Sequence, residues 1–223
     1  MDRSDAAPAA GFRVFGARAA HPRAAELAAE VHDLLFRYAN DIVAAYGLCP
    51  FLHNVETGMG AVGVVLDVEP DTETAIAAIR DMGANVVHLV YPLATGPLAK
   101  GGSSAFERFG SRVAQEIAKR LPEPLVHATF HPELTGGTEN AHRLVGLLRQ
   151  APDPFVQFIP PGLHEGGTVL AGAEAPTEGR AEATLPRLTT GPVEEVLSKL
   201  EALRAQRRER YSSLAETISR QPL

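Results

Sequence analysis

The chain has 223 residues, 45% of them hydrophobic, which is the length and apolar content of one globular domain able to bury a core. A formal net charge of −6 and a pI near 5.8 argue against a general polyanion-binding surface, which needs clustered Lys and Arg, so nucleic acid is not an expected partner. The single cysteine, Cys49, excludes an internal disulfide framework, and no apolar stretch approaches the roughly 20 residues that span a bilayer; the chain reads as a soluble, cytoplasmic protein.

The opening stretch MDRSDAAPAAGFRVFGARAA lacks a continuous apolar run. Its Ala, Gly and Arg content predicts a flexible tail over residues 1–21 rather than an export signal, with a single α/β domain over 22–223. Pro22 suits a first helical turn, and Leu27, Val31, Leu34, Leu35, Tyr38, Ile42 and Val43 recur at helical spacing as far as about Tyr46, where Gly47 reads as the stop. The β-branched run at 60–69 predicts a strand, and after Pro70 an Asp71 or Thr72 cap opens a helix that Gly83 closes. A second strand is expected over 85–92. The glycine-rich ATGPLAKGGSS follows, then a helix whose capping box is Ser104 with Glu107 and which ends near Arg120.

Residues 125–130 predict a third strand, 140–150 a helix, and 155–161 a fourth strand. Residues 166–192, rich in Gly, Ala, Pro and Thr without period, predict a long loop. Val196, Leu197, Leu200, Leu203, Leu214 and Ile218 mark a C-terminal helix over 193–219, whose RAQRRERY stretch reads as a solvated basic face. Strands alternating with helices define an α/β fold: a mostly parallel sheet of about four strands with βαβ connections, flanked by N- and C-terminal helices.

Three strand ends rhyme: VHLVYP, VHATFHP and VQFIPP. Alternation of side chains along each strand puts His88, then His127 and His131, then Gln157 on the same relative face, predicting a polar row of His88, His127 and Gln157 if the three are neighbours in that register. Buried polar groups need partners, so such a row calls for hydrogen bonds, a metal or a ligand. His127 and His131 stand about 13 Å apart by strand rise alone, so His131 is expected to pair with groups from other segments. In open α/β sheets ligands collect outside the carboxyl ends of the strands, where Tyr91, His131, His164 and Glu165 fall, together with the KGGSS loop whose backbone N–H groups could face an anion.

Cys49, in YGLCPF, lies just past a predicted helix C-terminus, where the dipole disfavours a thiolate; a catalytic role requires a histidine within hydrogen-bond reach. GLCPF, ATFHPE and APDPFVQF together resemble a family of uncharacterised bacterial proteins, the domain of unknown function 1415 family, over roughly residues 34–157. Cys49, Pro50 and Phe51 match one of its motifs, and Phe130, His131 and Pro132 another. The third departs, with Ala151, Pro152, Asp153 and Pro154 followed by Gln157 where the family has histidine, His127 where it has glutamine, and Arg149 one place off the family arginine. The resemblance implies site roles for Cys49 and His131 and supplies no established activity.

Three functional readings follow. The first is a small-molecule enzyme, a metal- or haem-dependent oxidoreductase in which His131, with His127 and His88 or Cys49, holds a transition metal or haem. The second is metal-free hydrolysis or group transfer with Cys49 as nucleophile and His131 as base. The third is a non-catalytic protein that binds an anionic metabolite. Tyr91, Lys100, Arg149 and Gln157 are the expected substrate contacts, and oligomeric state is not legible.

Overall fold

The computed structural model describes residues 11–46, 52, 55–94, 102–121, 125–161 and 193–221. Five strands, β1 (Phe12–Phe15), β2 (Ala61–Val65), β3 (Val87–Val90), β4 (Val126–Phe130) and β5 (Phe155–Ile159), form one sheet in the order β1-β2-β3-β5-β4. The α/β class and the parallel start of the sheet are as the sequence predicts. Two features are not. Phe12–Phe15, inside the expected tail, pairs parallel with β2, and Phe12 and Val14 pack against the core. β5 is antiparallel to both of its neighbours, β3 and β4.

The direction of β5 has a local cause. The segment after the helix that follows β4 returns to the edge where β4 ended, and the His131 amide there donates to the Arg149 carbonyl at 3.1 Å. A strand starting at that edge can only run back beside β4. The return is tight. A Cβ on Gly136 would lie 2.0 Å from the Leu147 nitrogen, and one on Gly146 would lie 2.2 Å from the Thr135 carbonyl oxygen, so the loop rests directly on helix backbone.

The helices are α1 (Ala24–Tyr38), continued by a π-helical stretch Ala39–Ala44, then α2 (Val55–Gly58), α3 (Thr72–Met82), α4 (Gly102–Arg120), α5 (Ala141–Leu148), α6 (Val193–Arg210) and α7 (Ser212–Arg220). In α1 the 3–4 spacing of Leu27, Val31, Leu34 and Tyr38 produces a buried stripe. The α3 ends match their sequence signals: Asp71 accepts from the Glu73 and Thr74 amides at 2.8 and 3.0 Å, and Gly83 closes the helix in the left-handed region at φ 58°. α4 begins at Gly102, two residues before the expected Ser104 cap.

The expected single C-terminal helix is two, broken at Tyr211. This residue leaves helical geometry (φ −144°, ψ 4°) as its side chain turns inward to donate to the Asp153 carboxylate.

The sheet separates two cores. On one face Val62, Val64, Val90, Ala128, Phe130 and Phe155 pack with α1, α6 and α7, and the Phe130 and Phe155 rings stack at 4.0 Å. On the other, Val65, Leu89, Tyr91, Val156 and Phe158 pack with α3 and α4.

Candidate functional site

The antiparallel β5 breaks the expected polar row. Gln157 pairs with His88 on β3 and with Ala128 on β4, while His127 pairs with Phe158. Directly opposed residues share a face, so His88 and Gln157 lie on the α1 side and His127 and His131 on the α4 side. The expected row requires all three strands to run one way, and β5 does not. Gln157 Nε2 donates to His88 Nε2 at 3.1 Å. Burial pushes the His88 pKa down to about 4, with the Met59 backbone partly opposing. His127 Nε2 is 3.4 Å from Ser111 Oγ, and its pKa is lowered by burial and then by the Arg149 charge. The His88, His127 and His131 set therefore does not converge on one ion. Among the described residues no group of three or more His, Cys, Asp or Glu side chains is placed to hold a metal.

Two expected residues do meet. Tyr91 directly follows β3 and His131 directly follows β4, and both line a cleft of about 300 Å³ at the carboxyl edge of these strands. The edge is shaped by proline. Pro92, Pro132, Pro152 and Pro154 have no N–H to extend the ladder, and its last bond runs from the Tyr91 amide to the Pro154 carbonyl at 2.9 Å.

His131 is only 5% exposed. Its Nδ1 accepts the Glu133 backbone N–H at 3.1 Å, within a turn closed by the Leu134 amide on the His131 carbonyl. Its ring lies beside Phe106, and burial lowers its pKa against the opposing charge of Glu133. Tyr91 stands edge-on to Phe106 and Phe109, with its hydroxyl enclosed and without a hydrogen-bond partner among the described residues. Burial, then the charges of Asp67 and Asp71, push that phenol well above its usual range.

The opposite wall is α6, and here the expected solvated basic face turns inward. Arg204 donates to the Pro132 carbonyl at 3.1 Å and to Gln150 Oε1 at 2.7 Å. Arg207 reaches Asp153 Oδ1 at 2.7 Å and the Pro92 carbonyl at 3.2 Å, and Asp153 raises its pKa. Arg208 also lines the cleft but is 61% exposed, and its ion pair among the described residues is with the outer Glu201 carboxylate at 3.2 Å. An i, i+3, i+4 spacing puts Arg204, Arg207 and Arg208 on one helix face. The spacing was visible in the sequence, but nothing in it reveals which way that face points.

The remaining expected residues lie elsewhere. The Arg149 guanidinium stacks over Phe130 at 5.8 Å, its pKa lowered to about 10 by burial, and it does not line the cleft. Its carbonyl rather than its charge serves His131. Cys49, Lys100, His164, Glu165 and residues 166–192 lie outside the described residues. The start of α4, which the sequence reads as a helix cap able to face an anion, is already faced by Glu133: a Cβ on Gly102 would lie 3.2 Å from Glu133 Oε2.

Sequence reasoning also missed Asp67, just beyond β2. One carboxylate oxygen accepts the Ala17 amide at 2.6 Å, the other is enclosed without a partner among the described residues, and burial raises the pKa. Gly16 (φ 95°) makes room for it, since a Cβ there would sit 2.7 Å from Asp67 Oδ1.

No family model, curated protein or solved structure matches the chain.

Proposed function

We propose that the protein binds a small anionic metabolite, a carboxylate or phosphate, in the cleft between the carboxyl ends of β3 and β4 and helix α6. The observation that carries this reading is the charge of the wall. Arg204, Arg207 and Arg208 line the cleft against one acidic side chain, Glu133. Arg207 is held by Asp153, and Arg204 is held by two neutral acceptors, the Pro132 carbonyl and Gln150, with a longer contact of 3.8 Å to the Glu201 carboxylate that Arg208 also meets. Arg208, on the rim, can exchange its exposed Glu201 contact for a ligand at little cost, because exposed ion pairs contribute about 0–1 kcal/mol. The volume suits a ligand of few heavy atoms, at the small end of pocket sizes. The three-histidine metal centre is not carried forward, since His88 faces the other core.

Titration calorimetry with succinate, acetate and inorganic phosphate, with glycerol as neutral control, tests the proposal. Expected are binding of at least one anion, no binding of glycerol, weakening by added salt, and about tenfold weaker binding in Arg208→Ala, the scale of one charge-assisted hydrogen bond. Equal behaviour of anions and glycerol, or an unchanged Arg208→Ala, would overturn it.

A further inference from the structure

We infer that His131 serves this cleft as a hydrogen-bond donor through Nε2–H and not as a base, so that the ligand atom it meets is an acceptor oxygen of a carboxylate or carbonyl group. This rests on the anion-cleft reading above and deepens it.

The geometry is local. Pro132 carries the chain into the turn that closes on the His131 carbonyl, and the turn brings the Glu133 amide onto His131 Nδ1 at 3.1 Å. A backbone N–H can only donate, so Nδ1 must be the bare, accepting nitrogen of the ring. In a neutral imidazole the bond made by one nitrogen fixes the state of the other, which places the proton on Nε2. An imidazolium would carry a proton on Nδ1 too and would meet the Glu133 N–H donor to donor. The Glu133 amide thus disfavours the cation as burial does, against the Glu133 carboxylate charge, which favours it. Nε2 makes no hydrogen bond with any described residue, while the ring lines the cleft.

A ring in this state cannot take a proton from a thiol or water without first losing the Glu133 bond. This removes the expected base role of His131 toward Cys49. A ligand that offers an ammonium to the ring meets a donor and is disfavoured, whereas a carboxylate spanning Nε2–H and Arg208 is matched at both ends. Glu133 is therefore a positioning residue, acting through its backbone while its side chain faces α4.

Long-range proton–nitrogen spectra of ring-labelled protein at pH 7.5 read the tautomer directly. Expected for His131 are a bare Nδ1 and a protonated Nε2, the same pattern in Glu133→Gln, which keeps the N–H, and a shift toward mixed tautomers in Glu133→Pro, which removes it. Added acetate is expected to move the Nε2 resonance, and His131→Phe to weaken acetate binding about five- to tenfold, one hydrogen bond's worth. A wild-type ring protonated on Nδ1, or doubly protonated, overturns the inference even if acetate binds. A ring protonated on Nε2 in a protein that binds no anion leaves the tautomer standing and overturns the anion-cleft reading instead.

Discussion

Acidification should unfold this protein through His88, and the size of the effect follows from its burial. The ring is 4% exposed, on the sheet face packed by α1, and its pKa is depressed from 6.5 to about 4. In the unfolded chain it takes up a proton near pH 6.5; in the folded chain it does so only near pH 4. Between these values the unfolded state holds more protons, so stability is full above about pH 6.5 and declines as pH falls. At about 1.4 kcal/mol per pKa unit, the decline attributable to His88 amounts to about 3 kcal/mol by pH 4. His32, His127 and His131, also shifted down by burial, act in the same direction. Urea unfolding at a series of pH values from 7.5 to 4 would measure the total. The same series on His88→Gln isolates the site, because glutamine can still accept from Gln157 and does not titrate. The stability difference between wild type and variant should shift by about 3 kcal/mol across the range, to the disadvantage of wild type in acid. Parallel curves for the two proteins would refute the reasoning.

Asp67→Asn should be neutral or stabilising at pH 7, because asparagine keeps an acceptor for the Ala17 amide and removes a charge whose second oxygen has no partner among the described residues; chemical denaturation showing a loss beyond about 1 kcal/mol would contradict this. Wild type should approach Asp67→Asn in stability as pH falls, since protonation of a carboxyl with a raised pKa favours the folded state. Gly136→Ala forces a methyl into the Leu147 backbone and should cost about 1–3 kcal/mol, a drop of several degrees in Tm by scanning fluorimetry. Asp153→Asn strips the partly buried Arg207 of its counter-charge and should cost about 2 kcal/mol, with Tyr211→Phe costing less; equal, negligible losses in thermal melts would show that α6 is held by apolar packing alone.

The parts of the fold legible in the sequence are those encoded within a few residues. The α1 stripe, the Asp71 cap and the Gly83 stop each act locally, and each appears where expected. β1 is four residues between glycines, too short to show a period, and becomes a strand only because β2 offers it a ladder. FVQFI carries no arrow: its direction is decided by where the loop over α5 returns, and reversing it changes which residues stand opposite Gln157. That is why the two-member pair His88 and Gln157 survives while the three-member row does not. That Tyr91 and His131 share an edge is legible because both follow strands ending there. The place of the arginines is not, since charge spacing on a helix says which residues share a face and nothing of whether that face meets water.

The interior position of β5 has a consequence for how the sheet comes together. β1, β2 and β3 make one parallel leaf, and β4 with β5 makes a second whose strands are linked through α5. Only the β3–β5 ladder joins the leaves, pairing residues some seventy positions apart, whereas each leaf closes over shorter loops. Loop-closure entropy favours the shorter closures first. The sheet is then assembled like a seam between two finished panels, and the buried His88–Gln157 hydrogen bond is one of the stitches in it.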